Sequence, residues 1–320
     1  MSRTVPLLLL GLAVALPLSL LAGRVWIDPF APETRNAAII LLELRLPRAL
    51  LAVVVGAGLG GAGAAMQGYL RNPLADPGLF GIAPGAALGA VLSLWTGYAV
   101  AAYALPLFAL AGAAGAMALL SLIAGRDGGV ALFTLAGLMI ASLAGALMSL
   151  AISLSPTPFA MSEIVTWLMG AVADRSWREV WIAAPLTLAG LGLLLAAGRS
   201  LDALSLGEQA ARSLGVDPAR LQYLLIAGIG LTVGAGVAVA GIISFVGLIV
   251  PHLMRPLTDR RPSSLIVPSA LAGSLLLLVA DCLCRILPLA GGELRLGIAL
   301  SLIGAPFFLH LLLRMRRGLA

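Results

Sequence analysis

The sequence predicts an all-α membrane protein with about ten transmembrane helices, because its composition is strongly apolar and its apolar residues form long runs. Of the 320 residues, 61% are apolar and 11% are charged, and the mean hydropathy is +1.07. Soluble domains average roughly 45–50% apolar and about 25% charged residues. A soluble enzyme, a disordered chain and a disulfide scaffold are therefore excluded. We expect residues 1–320 to form a single transmembrane domain.

Nine apolar runs follow one another along the chain. The first follows Arg3 and has the features of either a signal peptide or a first span. We prefer a retained span. With it, and with the long run discussed next counted as two spans, the chain has an even number of crossings. The runs cover residues 6–22, 49–70, 83–95, 101–124, 130–154, 180–197, 221–254, 265–283 and 296–313.

The run 221–254 is too long for one span. As a single helix its 34 residues would extend about 50 Å, against a hydrocarbon core of about 30 Å. Two full spans would not fit into this length, whereas one full and one short span do. We therefore expect a break near 241–247, which brings the count to ten crossings and places both termini on the same side.

Arginine supplies all twenty basic residues, and lysine is absent. With the N-terminus inside, twelve arginines fall on the inner side and eight on the outer side, which favours cytoplasmic termini. The net charge of +6 is thus assigned to topology, and we expect no nucleic-acid partner. A Walker A loop needs a lysine, so any ATP must be bound by another chain.

Several short motifs stand out from the apolar background. In their order along the chain they resemble the FecCD-type family, the permease subunits of bacterial binding-protein-dependent ABC importers for ferric siderophores, haem and cobalamin. The resemblance covers about residues 44–317. The motifs are Leu44-Arg45-Leu46-Pro47-Arg48, Met66-Gln67-Gly68, the turn 71–78, the polar segment 206–216, Gly247-Leu248-Ile249-Val250-Pro251-His252 and Gly304-Ala305-Pro306-Phe307-Phe308.

The resemblance implies a vitamin-B12-permease-like fold, the type II ABC importer fold, with ten spans per subunit. It also implies a complex in the bacterial inner membrane. That complex would contain a second permease copy, two ATP-binding subunits that carry ATP-Mg, and a periplasmic substrate-binding protein. For this chain itself we expect no catalysis, no metal site and no bound cofactor.

The polar segment around 201–220 is predicted to lie on the inner side as two short helices. Asp217-Pro218 is typical of a helix start, and Gly215 can end the helix before it. In the family, such helices dock into the ATPase and transmit its closure. The resemblance carries this role to Gly207, Glu208, Ala210, Ala211, Leu214 and Gly215. The alternative is a solvated connector.

Three outer arginines are candidates for holding the binding protein. Arg45 and Arg48 precede the second span and Arg285 follows the ninth. In the cobalamin permease that this chain resembles, arginines at these positions pair with glutamates of the binding protein, and a guanidinium grips carboxylates well. The alternatives are lipid-headgroup anchoring for Arg45 and Arg48, and a helical ion pair with Asp281 for Arg285.

Two inner loops are candidates for a gate. Asn72, Pro73, Asp76 and Pro77 suit a rigid turn, and the family places this region near the inner end of the pathway. Plain turn geometry is the alternative. The loop before the fifth span matches a family gate by position, but Val130 and Ala131 stand where the cobalamin permease carries hydroxyl residues. That departure puts a shared gating contact in doubt.

The sequence therefore predicts an importer permease that moves an iron chelate, either a ferric siderophore or haem, with cobalamin as the alternative substrate. An ion-coupled secondary transporter is the main rival, but it needs buried carboxylates as relays. Asp281 is the only acidic residue within a predicted span. An intramembrane enzyme is disfavoured, because no HExxH, GxSxG or paired carboxylates occur.

Overall fold

A computed structural model describes residues 4–23, 35–125, 129–287 and 292–319. Its regular structure in these ranges is built of α-helices, which confirms the all-α prediction. The helices are α1 (Thr4–Leu21), α2 (Arg35–Ile39), α3 (Leu46–Tyr69), α4 (Ile82–Trp95), α5 (Ala104–Ala124), α6 (Val130–Ser153), α7 (Pro158–Leu168), α8 (Trp177–Leu204), α9 (Glu208–Ser213), α10 (Pro218–Ala240), α11 (Val246–Met254), α12 (Pro262–Ile286) and α13 (Leu296–Leu319). A π-helical segment, Ile40–Arg45, connects α2 to α3.

Ten of these helices coincide with the ten predicted spans. Seven are long and apolar enough to cross a membrane: α1, α5, α6, α8, α10, α12 and α13. The glycine-rich α3 has 24 residues and extends about 36 Å at the rise of an α-helix. The shorter α4 and α11 are apolar as well. The chain is therefore a multi-pass membrane protein.

The helices run between two ends of the bundle, which we call the α9 end and the α7 end. At the α9 end, the Thr4 hydroxyl donates a hydrogen bond of 2.8 Å to the carbonyl of Leu257. At the α7 end, Arg45 donates one of 2.6 Å to the carbonyl of Leu20. α1 thus runs from the α9 end to the α7 end, and α3 returns.

The centre of the bundle depends on close backbone approach to α3. A Cβ atom at Gly60 would lie 2.1 Å from the Ser269 carbonyl oxygen of α12, and one at Gly63 would lie 2.0 Å from the Gly247 carbonyl oxygen. Only glycine fits at such distances. Small residues are how membrane helices pack closely when lipid offers no hydrophobic driving force. α3 therefore lies at the core and not at the lipid surface.

The predicted break in the run 221–254 is confirmed. α10 ends at Ala240, and α11 has only nine residues. Between them lies a non-helical turn, 241–245, which begins at Gly241 with φ 71° and ends at Phe245 with φ 68°. α11 then runs towards the α9 end, since Leu257, just after it, accepts the hydrogen bond from Thr4 at that end.

Helix α7 is an element that the sequence analysis missed. Thr157 caps it, because its hydroxyl oxygen accepts a hydrogen bond of 3.1 Å from the Ala160 amide, and Pro158 opens the first turn. At eleven residues it is too short for a span, so the lengths of the apolar runs do not predict it. The cap signal Thr-Pro was nevertheless present in the sequence.

Candidate transport pathway and partner surfaces

A cavity of about 420 Å³ lies at mid-depth in the bundle. The middle of α3 (Val55 and Leu59), the C-terminal half of α10 and Phe308 of α13 form apolar walls, and the turn 241–245 lines it as well. Asp76 provides a carboxylate at its edge. A largely apolar chamber with one acidic group at its border suits passage of a large ligand better than tight storage of an ion.

The turn after α3 has the geometry that its residues predict. Asn72 Oδ1 accepts a hydrogen bond of 2.9 Å from the Leu74 amide, and Asp76 Oδ1 accepts one of 2.8 Å from the Gly78 amide. Asp76 and Pro77 line the cavity. Asn72 is exposed and Pro73 is half-buried. These residues thus form the turn that their types predict, and Asp76 and Pro77 of this turn also form part of the cavity wall.

The second pair of gate candidates lies away from the cavity. Val130 lines a crevice beneath α9 together with Tyr69 and Ala211, while Ala131 is exposed. Phe133 follows one turn later, with its ring 5.2 Å from the Tyr69 ring and 5.4 Å from the Phe80 ring. This aromatic cluster connects the crevice under α9 to the turn that borders the cavity.

Helix α9 is a short helix bounded by two glycines in left-handed or unusual backbone conformations. Gly207 has φ 107° and Gly215 has φ 84°. At its C-terminal end the Val216 amide donates to the Ala211 carbonyl and the Gly215 amide to the Arg212 carbonyl, which is a Schellman motif. The prediction that Gly215 ends this helix is confirmed.

The two faces of α9 differ. Ala211 is buried against the bundle, whereas the Leu214 side chain is 65% exposed. Glu208 is exposed and its carboxylate lies 4.0 Å from the Arg71 guanidinium. Gly207 and Ala210 are half-buried. Leu206, just before Gly207, is 69% exposed as well, so the segment around α9 presents two large apolar side chains to solvent.

The prediction of two short helices within 201–220 is wrong. Residues 201–204 are the last turn of α8, and Pro218 opens the long helix α10. Asp217 does act as an N-cap, since its Oδ1 accepts hydrogen bonds from the Ala219 and Arg220 amides, but it caps a span. The Asp217-Pro218 motif thus predicts the start of a helix correctly, but it does not predict the length of that helix.

The candidate docking arginines at the α7 end are bound by groups of this chain. Arg48 grips Asp281 with Nε and Nη2, at 3.1 and 2.8 Å. Arg285 bonds the other carboxylate oxygen of Asp281 at 3.0 Å, and Glu293 reaches Arg48 at 2.7 Å. The ion pair of Arg285 with Asp281, raised as an alternative, is confirmed.

These arginines also tie α1 to the bundle. Arg285 donates to the carbonyls of Ser19 and Ala22, both at 3.2 Å, and Arg45 donates to Leu20. The exposed fractions are 4% for Arg285, 8% for Arg45 and 1% for Asp281. Arg45, Asp281 and Arg285 are therefore internal. Arg48, at 13% side-chain exposure, reaches the surface beside Glu293.

The sequence analysis did not single out the loop between α7 and α8. Its backbone joins three elements, because the Ala171 amide donates 2.8 Å to the Ala240 carbonyl and the Gly297 amide donates 3.0 Å to the Gly170 carbonyl. A Cβ at Gly170 would lie 2.1 Å from the Ile242 carbonyl oxygen. This loop covers the turn 241–245 from the α7 end, and no local motif announces such a long-range contact.

Ten apolar helices with the glycine-rich α3 at their core, a chamber at mid-depth and a capped helix at one end define a polytopic transport protein of the membrane. The profile of the FecCD transport family matches residues 7–314. The chain belongs to this family of ABC importer permeases.

Named relatives and a solved structure agree with this assignment. The chain is 39% identical over 318 residues to the vitamin B12 import system permease protein BtuC of Serratia proteamaculans, covering 98% of this chain and 93% of that one. It is 41% identical over 286 residues to the uncharacterized ABC transporter permease YvrB of Bacillus subtilis, covering 87% and 80%.

A solved inward-facing structure, of an ABC transporter assigned to the metal-chelate type, superposes with a TM-score of 0.89 at 33% identity. The match covers 97% of this chain and 98% of the other. Membership confirms the resemblance and the type II importer fold. It also implies an ATPase and a binding protein as partners, and the family is one of permeases, which are not themselves enzymes.

Proposed function

We propose that this chain is the permease subunit of a binding-protein-dependent ABC importer that carries an iron chelate, either a ferric siderophore or haem, across the bacterial inner membrane. The observation that carries the proposal is α9, a rigid helix with an exposed leucine in a FecCD-family chain. In the proposed orientation the α9 end and both termini are cytoplasmic, and the α7 end faces the periplasm.

The proposed complex contains two copies of this chain and two ATP-binding subunits, with the binding protein at the periplasmic face. ATP-Mg is held by the ATPase, since this chain has no lysine for a phosphate-binding loop. No cofactor is assigned to this chain. ATP binding shifts the population between two access states because the ATPase prefers one of them.

Transmission from the ATPase is proposed to begin at Gly207, Glu208, Ala210, Ala211, Leu214 and Gly215. Ala211 shares its crevice with Val130 and Tyr69. Movement of α9 would therefore press on the aromatic cluster of Tyr69, Phe80 and Phe133, and through it on the turn beside the cavity. In this proposal Asn72, Pro73 and Asp76 respond at the inner gate, with Val130 and Ala131 next to α9.

We also propose that the binding protein docks at the surface formed by Arg45, Arg48 and Arg285, with different roles for the three residues. Arg45 and Arg285 fix the surface by holding α1 in place. Arg48 meets a partner carboxylate only if that carboxylate replaces Glu293, which is about one-third exposed. Exchange of one carboxylate for another keeps the guanidinium paired throughout.

Cobalamin is the second candidate substrate. The relatives named vitamin B12 import permeases, with 39% identity, favour it, and the family as a whole favours iron chelates. Ion-coupled secondary transport is disfavoured, because Asp281 is held by two arginines. A relay carboxylate must instead be able to bind and release a proton.

Reconstituted transport tests the function directly. Proteoliposomes that contain the permease, its ATPase and the binding protein should take up cargo only with ATP. Uptake that continues without ATP and without the ATPase would refute the importer assignment. Leu214→Ser should weaken co-purification of the ATPase. Val100→Ser, which also changes an exposed apolar residue but at the α7 end, is the matched control and should have no effect.

Binding titrations identify the substrate. The cognate periplasmic protein is titrated with hemin, ferric siderophores and cyanocobalamin, and the ligand bound most tightly is then used in the transport assay. Tightest binding of cyanocobalamin would replace the iron-chelate proposal by the corrinoid one, without affecting the importer assignment.

A further inference from the structure

Two arginines at the α7 end have no partner comparable to those of Arg48 and Arg285. Neither Arg175 nor Arg295 makes a side-chain hydrogen bond or an ion pair with any residue in the part of the chain that the structure describes, and both are half-buried. The Nε atom of Arg175 is buried and lacks a hydrogen-bond acceptor. Arginines removed from water are ordinarily paired.

The two guanidinium groups share one neighbourhood. The pKa of Arg175 is lowered by burial first of all, and the positive charges of Arg178 and Arg295 add to this effect, while Glu179 and Asp174 oppose it. Glu179 is already committed, since its carboxylate accepts from the Ser176 amide at 2.7 Å and from Arg178 Nε at 2.8 Å. Three arginines and two carboxylates leave this neighbourhood with a net charge of +1.

The position of this neighbourhood is fixed by backbone contacts. Arg175 follows the loop that bonds to Ala240, and Arg295 precedes Gly297, which bonds to the same loop. The turn 241–245, which this loop covers, lines the cavity. The two arginines therefore lie next to the backbone contacts that separate the cavity from the α7 end.

We propose that Arg175 and Arg295 form a recognition site for anionic groups of the cargo at the mouth of the pathway. This inference rests on the proposed function and narrows its substrate to metal chelates with carboxylate or similarly charged oxygens. A guanidinium binds such oxygens in a bidentate way. An anion would supply the hydrogen-bond acceptor that the buried Arg175 Nε atom lacks and would offset the positive charge of this neighbourhood.

The test uses the reconstituted complex and four probes of known charge. Hemin and ferric citrate are anionic, whereas ferrichrome and cyanocobalamin carry no net charge. The wild type should transport an anionic probe in preference to the uncharged ones. The double variant Arg175→Gln/Arg295→Gln should lower that uptake at limiting cargo by about tenfold or more, as expected for loss of a charged hydrogen bond.

Two further variants separate charge recognition from structural damage. Arg175→Lys keeps the charge and should retain most of the uptake. Arg199→Gln removes an exposed arginine of α8 that belongs neither to this neighbourhood nor to α9, and should leave uptake unchanged. Docking of the cargo-free binding protein and basal ATPase activity should both stay within about twofold of wild type in all variants.

Three results would overturn the inference: preferred uptake of an uncharged probe by the wild type, unchanged uptake of the anionic probe by the double variant, or an equal loss of docking by the cargo-free binding protein. The last result would assign the arginines to the partner protein. Absence of ATP-dependent uptake of every probe by the wild type would instead refute the proposed function itself.

Discussion

The two ends of the bundle use arginine in opposite ways. At the α7 end, Arg48 and Arg285 are drawn into the fold and share the buried Asp281. At the α9 end, Arg212 and Arg220 are exposed to solvent, and backbone caps hold the local structure in place. One end is therefore fixed by side-chain charge and the other by backbone geometry, which leaves the side chains of the α9 end available to a partner.

Among the variants that test this difference between the two ends, Asp281→Ala is expected to lower stability most. The substitution leaves two guanidinium groups without their shared carboxylate, and removal of one partner of a buried ion pair costs about 3–5 kcal/mol. Thermal denaturation in detergent should show a large fall in stability. Glu208→Ala at the exposed pair of the α9 end is the control. Equal losses in the two variants would contradict the contrast.

The next effect comes from the glycines of the two ends. Gly170 has φ 70° and no room for a Cβ, whereas Gly215 has φ 84° and open space around it. Each alanine variant carries the left-handed penalty of about 1–2 kcal/mol, and Gly170→Ala adds overpacking of about 1–3 kcal/mol. Denaturation midpoints measure the difference, and Gly215→Ala as the more harmful variant would show that α9 is packed, not capped.

A smaller effect is expected at the cap of α10. Asp217→Ala removes the acceptor for the Ala219 and Arg220 amides, which costs about 1 kcal/mol. Asp217→Asn retains a capping side chain and should restore most of the stability. If Asn fails to rescue, the role of Asp217 is one of charge, and the idea that capping of backbone amides, without side-chain charge, fixes this end would need revision.

The smallest effect is expected from Glu208→Gln. The pair with Arg71 is 4.0 Å long and almost half exposed on both sides, so its contribution is below about 0.5 kcal/mol. Stability should not change measurably, whereas co-purification of the ATPase is a separate readout. A loss of more than about 1 kcal/mol would mean that side-chain charge fixes the α9 end as well.

Much of the fold follows from the sequence, because hydrophobic length alone determines where a chain can cross a membrane. The broken run 221–254 is the clearest case, since neither one span nor two full spans fit its length. Helix α7 escaped this logic because an eleven-residue helix does not cross. Its cap, Thr157-Pro158, is visible in the sequence, but a cap gives the start of a helix and not its length.

The candidate site was less predictable, because its contacts join distant parts of the chain. The pair of Arg285 and Asp281 is local and was foreseen as an alternative. Arg48 reaches the same carboxylate across 233 positions, and the sequence carries no sign of that. Arg175 and Arg295 are far apart in the sequence, and their shared neighbourhood forms only when the loop after α7 bonds to the start of α13.

The non-helical turn between α10 and α11 has a consequence for the annulus of acyl chains around the protein. Peptide groups outside a helix cannot be left facing hydrocarbon, because nothing there can accept or donate their hydrogen bonds. The Ala240 carbonyl is satisfied by the Ala171 amide, and the cavity borders the rest of the turn. The turn 241–245 must therefore face either protein or water, and the acyl chains of the boundary lipids cannot contact it.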